Sequence, residues 1–127
     1  MTSPMNIAGI GQIAICVTDL AVARRFYHET LGLEIMMEAD QMVFLQAGNL
    51  RLMIGTQHDN PAATSSVILY LRTDNIDGDC EYLKSSNIDI IQGPLVAHKD
   101  DAHTLYLAFF KDPDGHSLAL MEERSNS

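Results

Sequence analysis

The chain has 127 residues, 46% of them hydrophobic and 20% charged, which is the composition of one ordinary globular domain able to bury about two thirds of its unfolded surface. Its net charge of −9, with only 8 Lys and Arg against 17 Asp and Glu, excludes a phosphate-binding footprint and hence a nucleic-acid partner, and equally an anionic membrane surface. Met1 to Gly9 lacks the basic start and apolar run of a signal peptide, no stretch approaches the ~18 apolar residues of a membrane span, and Cys16 and Cys80 show neither metal-type nor disulfide-type spacing, so a cytoplasmic protein with free thiols is expected.

From Ile10 to Val17 the residues alternate: Gln12, Ala14 and Cys16 share one face of a strand, and Ile13, Ile15 and Val17 the other. Thr18-Asp19 then offers a helix N-cap, Leu20, Ala23, Phe26, Tyr27 and Leu31 form an apolar stripe, and Gly32 is the stop signal. A strand near Leu33 to Glu38, a break at Asp40-Gln41, a strand from Met42 to Ala47, a turn at Gly48-Asn49 and a strand from Leu50 to Ile54 complete a βαβββ unit over residues 8–55. Residues 56–65 are polar and aperiodic and read as the connection.

The pattern restarts at Ser66 to Arg72, with Ser66, Ile68, Tyr70 and Arg72 on one face and Val67, Leu69 and Leu71 on the other. Thr73-Asp74 repeats the helix start, and a helix through Ile76, Cys80, Tyr82 and Leu83 ends near Asn87, about 55 residues beyond Gly32. Ile88 to Ile91 suggests a short strand followed by a loop to about Ala102. Two apolar runs then flank Asp112-Pro113-Asp114-Gly115, a hairpin turn in which Pro113 presets φ, Asp112 can accept backbone N–H bonds and Gly115 supplies positive φ. One βαβββ unit would leave a sheet face exposed, so two such modules, residues 8–55 and 66–122, are expected to pair within a single α+β domain spanning 1–127. The product would be a curved, open eight-stranded barrel with helices outside and a cleft inside.

The closing Asp-Pro-Asp-Gly hairpin, the first strand Ile-Gly-Gln-Ile-Ala-Ile-Cys-Val-Thr-Asp-Leu and the Arg-Arg-Phe-Tyr-His-Glu-Thr-Leu-Gly-Leu helix resemble the vicinal oxygen chelate superfamily. That superfamily contains glyoxalase I, fosfomycin resistance proteins, extradiol dioxygenases and bleomycin resistance proteins. The resemblance covers nearly the whole chain. It implies the glyoxalase/bleomycin-resistance fold, a homodimer and, in the family's enzymes, one divalent metal held by His, Glu or Gln as a Lewis acid. Carried over by the motif, the metal positions fall on Gln12, Arg51, Ser66 (or Val67 with a one-residue slip) and Ala119. Gln12 is a weak ligand, Ser66 a poor one, Ala119 none, and Arg51 repels a cation. The resemblance with these substitutions implies no cofactor at that position and weighs against a metal-dependent dioxygenase or an ordinary glyoxalase I.

Alternation assigns Gln12, Ala14, Cys16, Arg51, Met53, Ser66, Ile68, Tyr70, Ser117, Ala119 and Met121 to the faces away from the helices, a soft and sparingly polar lining suited to a small-molecule ligand. Arg51 on such a face needs an anionic partner, either a ligand carboxylate or phosphate or a salt bridge to Glu34 or Glu38, unless it extends to solvent. Among the histidines, His28 reads as a solvent-side helix residue, His58 as part of the connection and His116 as a hairpin residue, while His98-Lys99-Asp100-Asp101-Ala102-His103 is a solvated loop or a metal-like cluster. The expected function is binding of a small, partly apolar organic molecule in the cleft between the modules. The alternative is a glyoxalase- or isomerase-type enzyme with a displaced or weak metal site, or one using side chains such as Gln12, His103 and Tyr106 as acid, base or positioning groups. A regulatory or accessory module is the third reading.

Overall fold

The computed structural model describes residues 5–56 and 67–126, and the chain divides into two compact units at residues 62 and 63. His58, Ser66 and the expected connection fall outside the described residues.

In the first unit β1 (Gln12–Cys16), α1 (Leu20–Arg24) with a π-helical continuation (Arg25–Thr30), β2 (Glu34–Ala39), β3 (Met42–Ala47) and β4 (Leu50–Gly55) follow in the expected order. The sheet order is β1-β4-β3-β2, with β1 parallel to β4 and the other pairs antiparallel. Asp19 caps α1 by accepting from the Val22 N–H at 3.2 Å. The helix then widens, so that Leu31 N–H donates to the Phe26 carbonyl five residues back. A wider turn lets the consecutive Phe26 and Tyr27 both face the sheet, where they are buried with rings edge-to-face at 5.0 Å. Val17, Val43, Leu45, Leu52 and Ile54 are likewise buried, at 0–3% exposed, each worth about 1.5–3 kcal/mol of burial. Gly32 (φ 78°) ends the segment as expected.

The second unit contains β5 (Leu69–Arg72), α2 (Ile76–Ser85), β6 (Gln92–Lys99), β7 (His103–Lys111) and β8 (Ser117–Ser125), in the sheet order β5-β8-β7-β6. Ile76, Cys80 and Leu83 bury one side of α2 as expected, whereas Tyr82 is 48% exposed and lies outside that stripe. The cap is Asn75, one residue later than the first unit's pattern suggests. Its Oδ1 accepts from Gly78 N–H at 3.1 Å, and Thr73 Oγ1 accepts from Asn75 N–H at 3.0 Å. Asn87 (φ 65°) occupies the left-handed position that Gly32 holds in the first unit.

Two expectations are corrected. Ile88 to Ile91 is no strand, and the segment expected to be a loop is β6. That strand is the sheet edge, where Pro94 costs no interior hydrogen bond, and its register slips between Gln92 and Leu95 and again between Val96 and His98, which erases the period-two signal. The closing hairpin forms as expected. Asp112 Oδ1 accepts from Asp114 and His116 N–H at 2.9 and 2.8 Å, and Gly115 has φ 89°. His116 is more than a turn residue, since it is buried beside Asp112.

Candidate functional site

Strand register sorts the first sheet's helix-free face into rows. The turn at Gly48-Asn49 pairs Ala47 with Leu50, and this fixes Gln46 opposite Arg51 and Phe44 opposite Met53. Adding β1 and β2 gives a polar row, Gln12–Arg51–Gln46–Glu34, beside a softer one, Ala14–Met53–Phe44–Met37, and then Cys16–Gly55–Met42–Ala39. Arg51 Nε donates to Gln12 Oε1 at 2.8 Å, and the guanidinium lies 5.7 Å from the Phe44 ring centre. Gln12 Nε2 in turn reaches Met53 Sδ at 3.8 Å, while Gln46 Nε2 donates to the Gly48 carbonyl at 3.1 Å. Of the alternatives open to Arg51, the ion pair with Glu34 or Glu38 is not formed among the described residues. Glu38 sits on the helix side and binds Arg24 at 2.7 Å, which holds its carboxyl below the usual range.

In the second sheet the corresponding face carries the rows Tyr70–Ala119–Phe109–Gln92 and Arg72–Met121–Leu107–Leu95. Tyr70 and Phe109 flank Ala119 on strands roughly 10 Å apart, yet their ring centres are only 6.2 Å apart and edge-to-face, so the rings lean together over the Ala119 methyl. Ala119 is 0% exposed. Ile68, exposed, immediately precedes β5. At the C-terminal end of β5, beside the middle of β8, an open depression of about 560 Å3 is lined by Arg72, Thr73, Asp74, Met121, Glu122 and Glu123.

The structure separates two of the expected acid–base candidates. Tyr106 pairs with Glu122 and faces the helix side, with the Arg124 guanidinium 4.3 Å from its ring centre. His103 faces the helix-free side at the β6–β7 turn. There Asp100 Oδ1 accepts from His103 N–H at 2.8 Å and Ala102 N–H at 2.9 Å, contacts that lower the Asp100 pKa. The His98–Asp100 contact, 3.6 Å long, completes a hairpin turn rather than a ligand set. His28, expected at the solvent side, is half-buried with Nδ1 2.8 Å from the Leu33 carbonyl, so it donates there and is tied to the helix end. Among the described residues no three His, Cys, Asp or Glu side chains gather as a metal-holding group.

Of the positions that the resemblance assigns to a metal, the three among the described residues do not fit a divalent cation. Gln12 has given its carbonyl oxygen to a guanidinium, Arg51 brings positive charge to the same row, and Ala119 contributes a methyl beneath two rings. Glu122, three residues further along β8, cannot substitute. It faces the helix side, where Oε1 accepts from the first amide of α2, Ile76 N–H, at 2.8 Å, and Oε2 binds Arg124 at 2.7 Å. The Arg124 contact and that N–H hold the Glu122 carboxyl below its ordinary pKa.

Of the predicted lining, Gln12, Ala14, Cys16, Arg51 and Met53 share one sheet face, and Tyr70, Ala119 and Met121 share the other sheet's corresponding face. Sequence reasoning missed Met37, Met42, Phe44 and Gln46 in the first sheet and Leu107 and Phe109 in the second. The two-residue turn at Gly48-Asn49 held the signal for Phe44 and Gln46, because a tight hairpin fixes which residues stand opposite one another.

Comparison with known proteins bears on this geometry. Residues 9–120 match the model of the family described as Glyoxalase/Bleomycin resistance protein/Dioxygenase superfamily. The chain is 26% identical over 119 residues to a protein named metallothiol transferase FosB from Staphylococcus haemolyticus, covering 90% of this chain and 83% of the relative. Among solved structures, TnmS3, described as an antibiotic binding protein from Streptomyces sp. CB03234, superposes with a TM-score of 0.75 at 24% identity, covering 94% of this chain and 99% of that one. Lactoylglutathione lyase from Agrobacterium tumefaciens gives a TM-score of 0.73 at 20% identity, with 93% and 96% covered.

Proposed function

The chain belongs to the glyoxalase/bleomycin resistance protein/dioxygenase superfamily, and from that premise we propose that it binds a small, partly apolar organic molecule on the helix-free faces of its sheets without the divalent metal of the family's enzymes. The observation that carries this reading is the closed position at Ala119. Where those enzymes place a carboxylate, this chain holds a fully buried methyl under the Tyr70–Phe109 ring pair. Those rings, with Met121 and Leu107 in the next row, make an apolar and aromatic seat, and Ala14, Met53, Phe44 and Met37 make another on the first sheet. The fold itself is neutral on the point, since it is shared with proteins named as a transferase, a lyase and an antibiotic binder.

The reading extends to a cytoplasmic homodimer. Cys16 and Cys80 form no disulfide with each other, no helix of the described residues is long and apolar enough to cross a membrane, and β1, β2, β5 and β6 are edge strands of their sheets. A thermal-shift screen of metabolites, antibiotics and divalent metals, with metal analysis of protein purified without chelator, tests the function. Stabilisation by apolar organic molecules, with no stoichiometric Ni, Zn, Mn or Fe, is the expected result. Stoichiometric metal would favour the alternative, an enzyme of glyoxalase or isomerase type with a displaced site, for which the similarity to a protein named as a metallothiol transferase is the supporting observation.

A further inference from the structure

Arg51 differs from Arg24 and Arg124 in what it binds. Arg24 binds Glu38, and Arg124 binds Glu122 and Asp77, so each is neutralised by a carboxylate. Arg51 is exposed on the helix-free face and, among the described residues, its hydrogen-bond partner is the neutral amide of Gln12. Gln12 takes Nε, the inner corner of the guanidinium. What remains is the end-on pair of Nη groups, a planar fork of the kind that holds two oxygens of one carboxylate. Holding Nε at 2.8 Å, with Phe44 5.7 Å from the guanidinium carbon, fixes the direction of that fork without using its charge.

The neighbouring row supplies the rest of the ligand's description. Ala14, Met53 and Phe44 lie two residues along their strands from the Arg51 row, a distance of roughly 6.7 Å, and Met37 lies three residues along β2, where the register shifts between Ile35 and Met37. We propose that Arg51, oriented by Gln12, is the anchor for a monoanionic carboxylate whose apolar or aromatic body lies along the Ala14–Met53–Phe44–Met37 row. The inference rests on the binding reading above and names the class of molecule bound. The chain's net charge of −9 repels anions at long range, but screening confines that repulsion to about 8 Å at physiological salt, so a guanidinium in direct contact governs the site. A single fork between two amide side chains, Gln12 and Gln46, suits one carboxylate better than a doubly charged phosphate, which would call for a second cation; Arg51 is the cationic member of its row.

The test uses two probes of the same shape, 2-naphthylacetate and 2-naphthylacetamide, whose binding to the 127-residue chain is followed by calorimetry or naphthyl fluorescence polarisation. The wild-type protein should bind the carboxylate roughly ten- to a hundredfold more tightly than the amide. Arg51→Gln should abolish that preference while leaving amide binding within about twofold. Gln12→Glu, which hands the guanidinium an internal carboxylate, should abolish it as well, and Arg72→Gln should leave it intact. Because Arg51 is exposed, Arg51→Gln should keep the wild-type Tm within ~2 °C, so that a loss of preference is a loss of recognition. Equal binding of the two probes to wild type, or a preference that survives Arg51→Gln, overturns the assignment while leaving small-molecule binding standing. Binding of neither probe at millimolar concentration refutes the ligand class, and the broader reading is then decided by the thermal-shift screen.

Discussion

Replacing Ala119 by Glu would place there the carboxylate that the family resemblance assigns to this position of the last strand in metal-dependent members, and its effect on stability follows from the local geometry. Ala119 is 0% exposed, and the rings of its cross-strand neighbours Tyr70 and Phe109 meet edge-to-face above it with centres 6.2 Å apart. A further methylene and a carboxylate must push those rings apart. Overpacking costs about 1–3 kcal/mol, and the lost aromatic contact about 0.5–1.5 kcal/mol. The sum is about 1.5–4.5 kcal/mol, which for a chain of this length corresponds to a fall in Tm on the order of 10 °C. Ala119→Ser, which adds one atom, should cost less than half as much. Thermal melts of both variants followed by circular dichroism, with and without millimolar Ni, Zn or Mn, give the comparison. An Ala119→Glu variant that melts like wild type, or that a metal stabilises, would show that the position is open and that the donor set can be rebuilt, and would refute the closed position at Ala119.

Other consequences concern the supports of the second sheet. Glu122→Ala leaves the buried amide of Ile76 and the Arg124 guanidinium without their shared carboxylate and should cost about 1–3 kcal/mol at neutral pH. Glu122→Gln, which keeps an acceptor for Ile76, should cost less. Because the folded protein holds the Glu122 carboxyl below its unfolded pKa, this stabilisation is complete above about pH 4.5 and fades as pH falls through the lower folded value. The gap in stability between wild type and Glu122→Gln should therefore narrow on acidification in parallel denaturant titrations, and a gap independent of pH would contradict the role of the charge. Gly93 has φ 101°, and a Cβ there would stand 2.5 Å from the Leu107 carbonyl oxygen. Gly93→Ala should lower stability by about 2–4 kcal/mol in urea titrations, and a near-neutral effect would mean that the β6 edge is free to rearrange. Burial raises the pKa of the Cys80 thiol, so a maleimide should modify Cys80 in the native protein at least ~10-fold more slowly than in urea; equal rates would be incompatible with its packing.

The sequence by itself determined the order of elements, the twofold repeat, the Asp112–Gly115 turn and the faces of β1, β4, β5 and β8, because period-two alternation and turn chemistry are local properties of the chain. The family resemblance also assigns Gln12, Arg51 and Ala119 to the positions where metal-dependent members carry donors, an assignment that needs only the aligned motif. The sequence failed at β6, where an edge strand with Pro94 and two slips in register carries no alternation, and at the widened end of the first helix. Only the tertiary structure decided what those side chains do. Whether Arg51 would meet Glu34, Glu38 or neither depends on which faces β2 and β4 turn to each other, and whether Ala119 is open or covered depends on rings that arrive from two other strands. Such contacts join residues as much as 49 positions apart, as Tyr70 and Ala119 are, and are set by register and packing rather than by any local pattern.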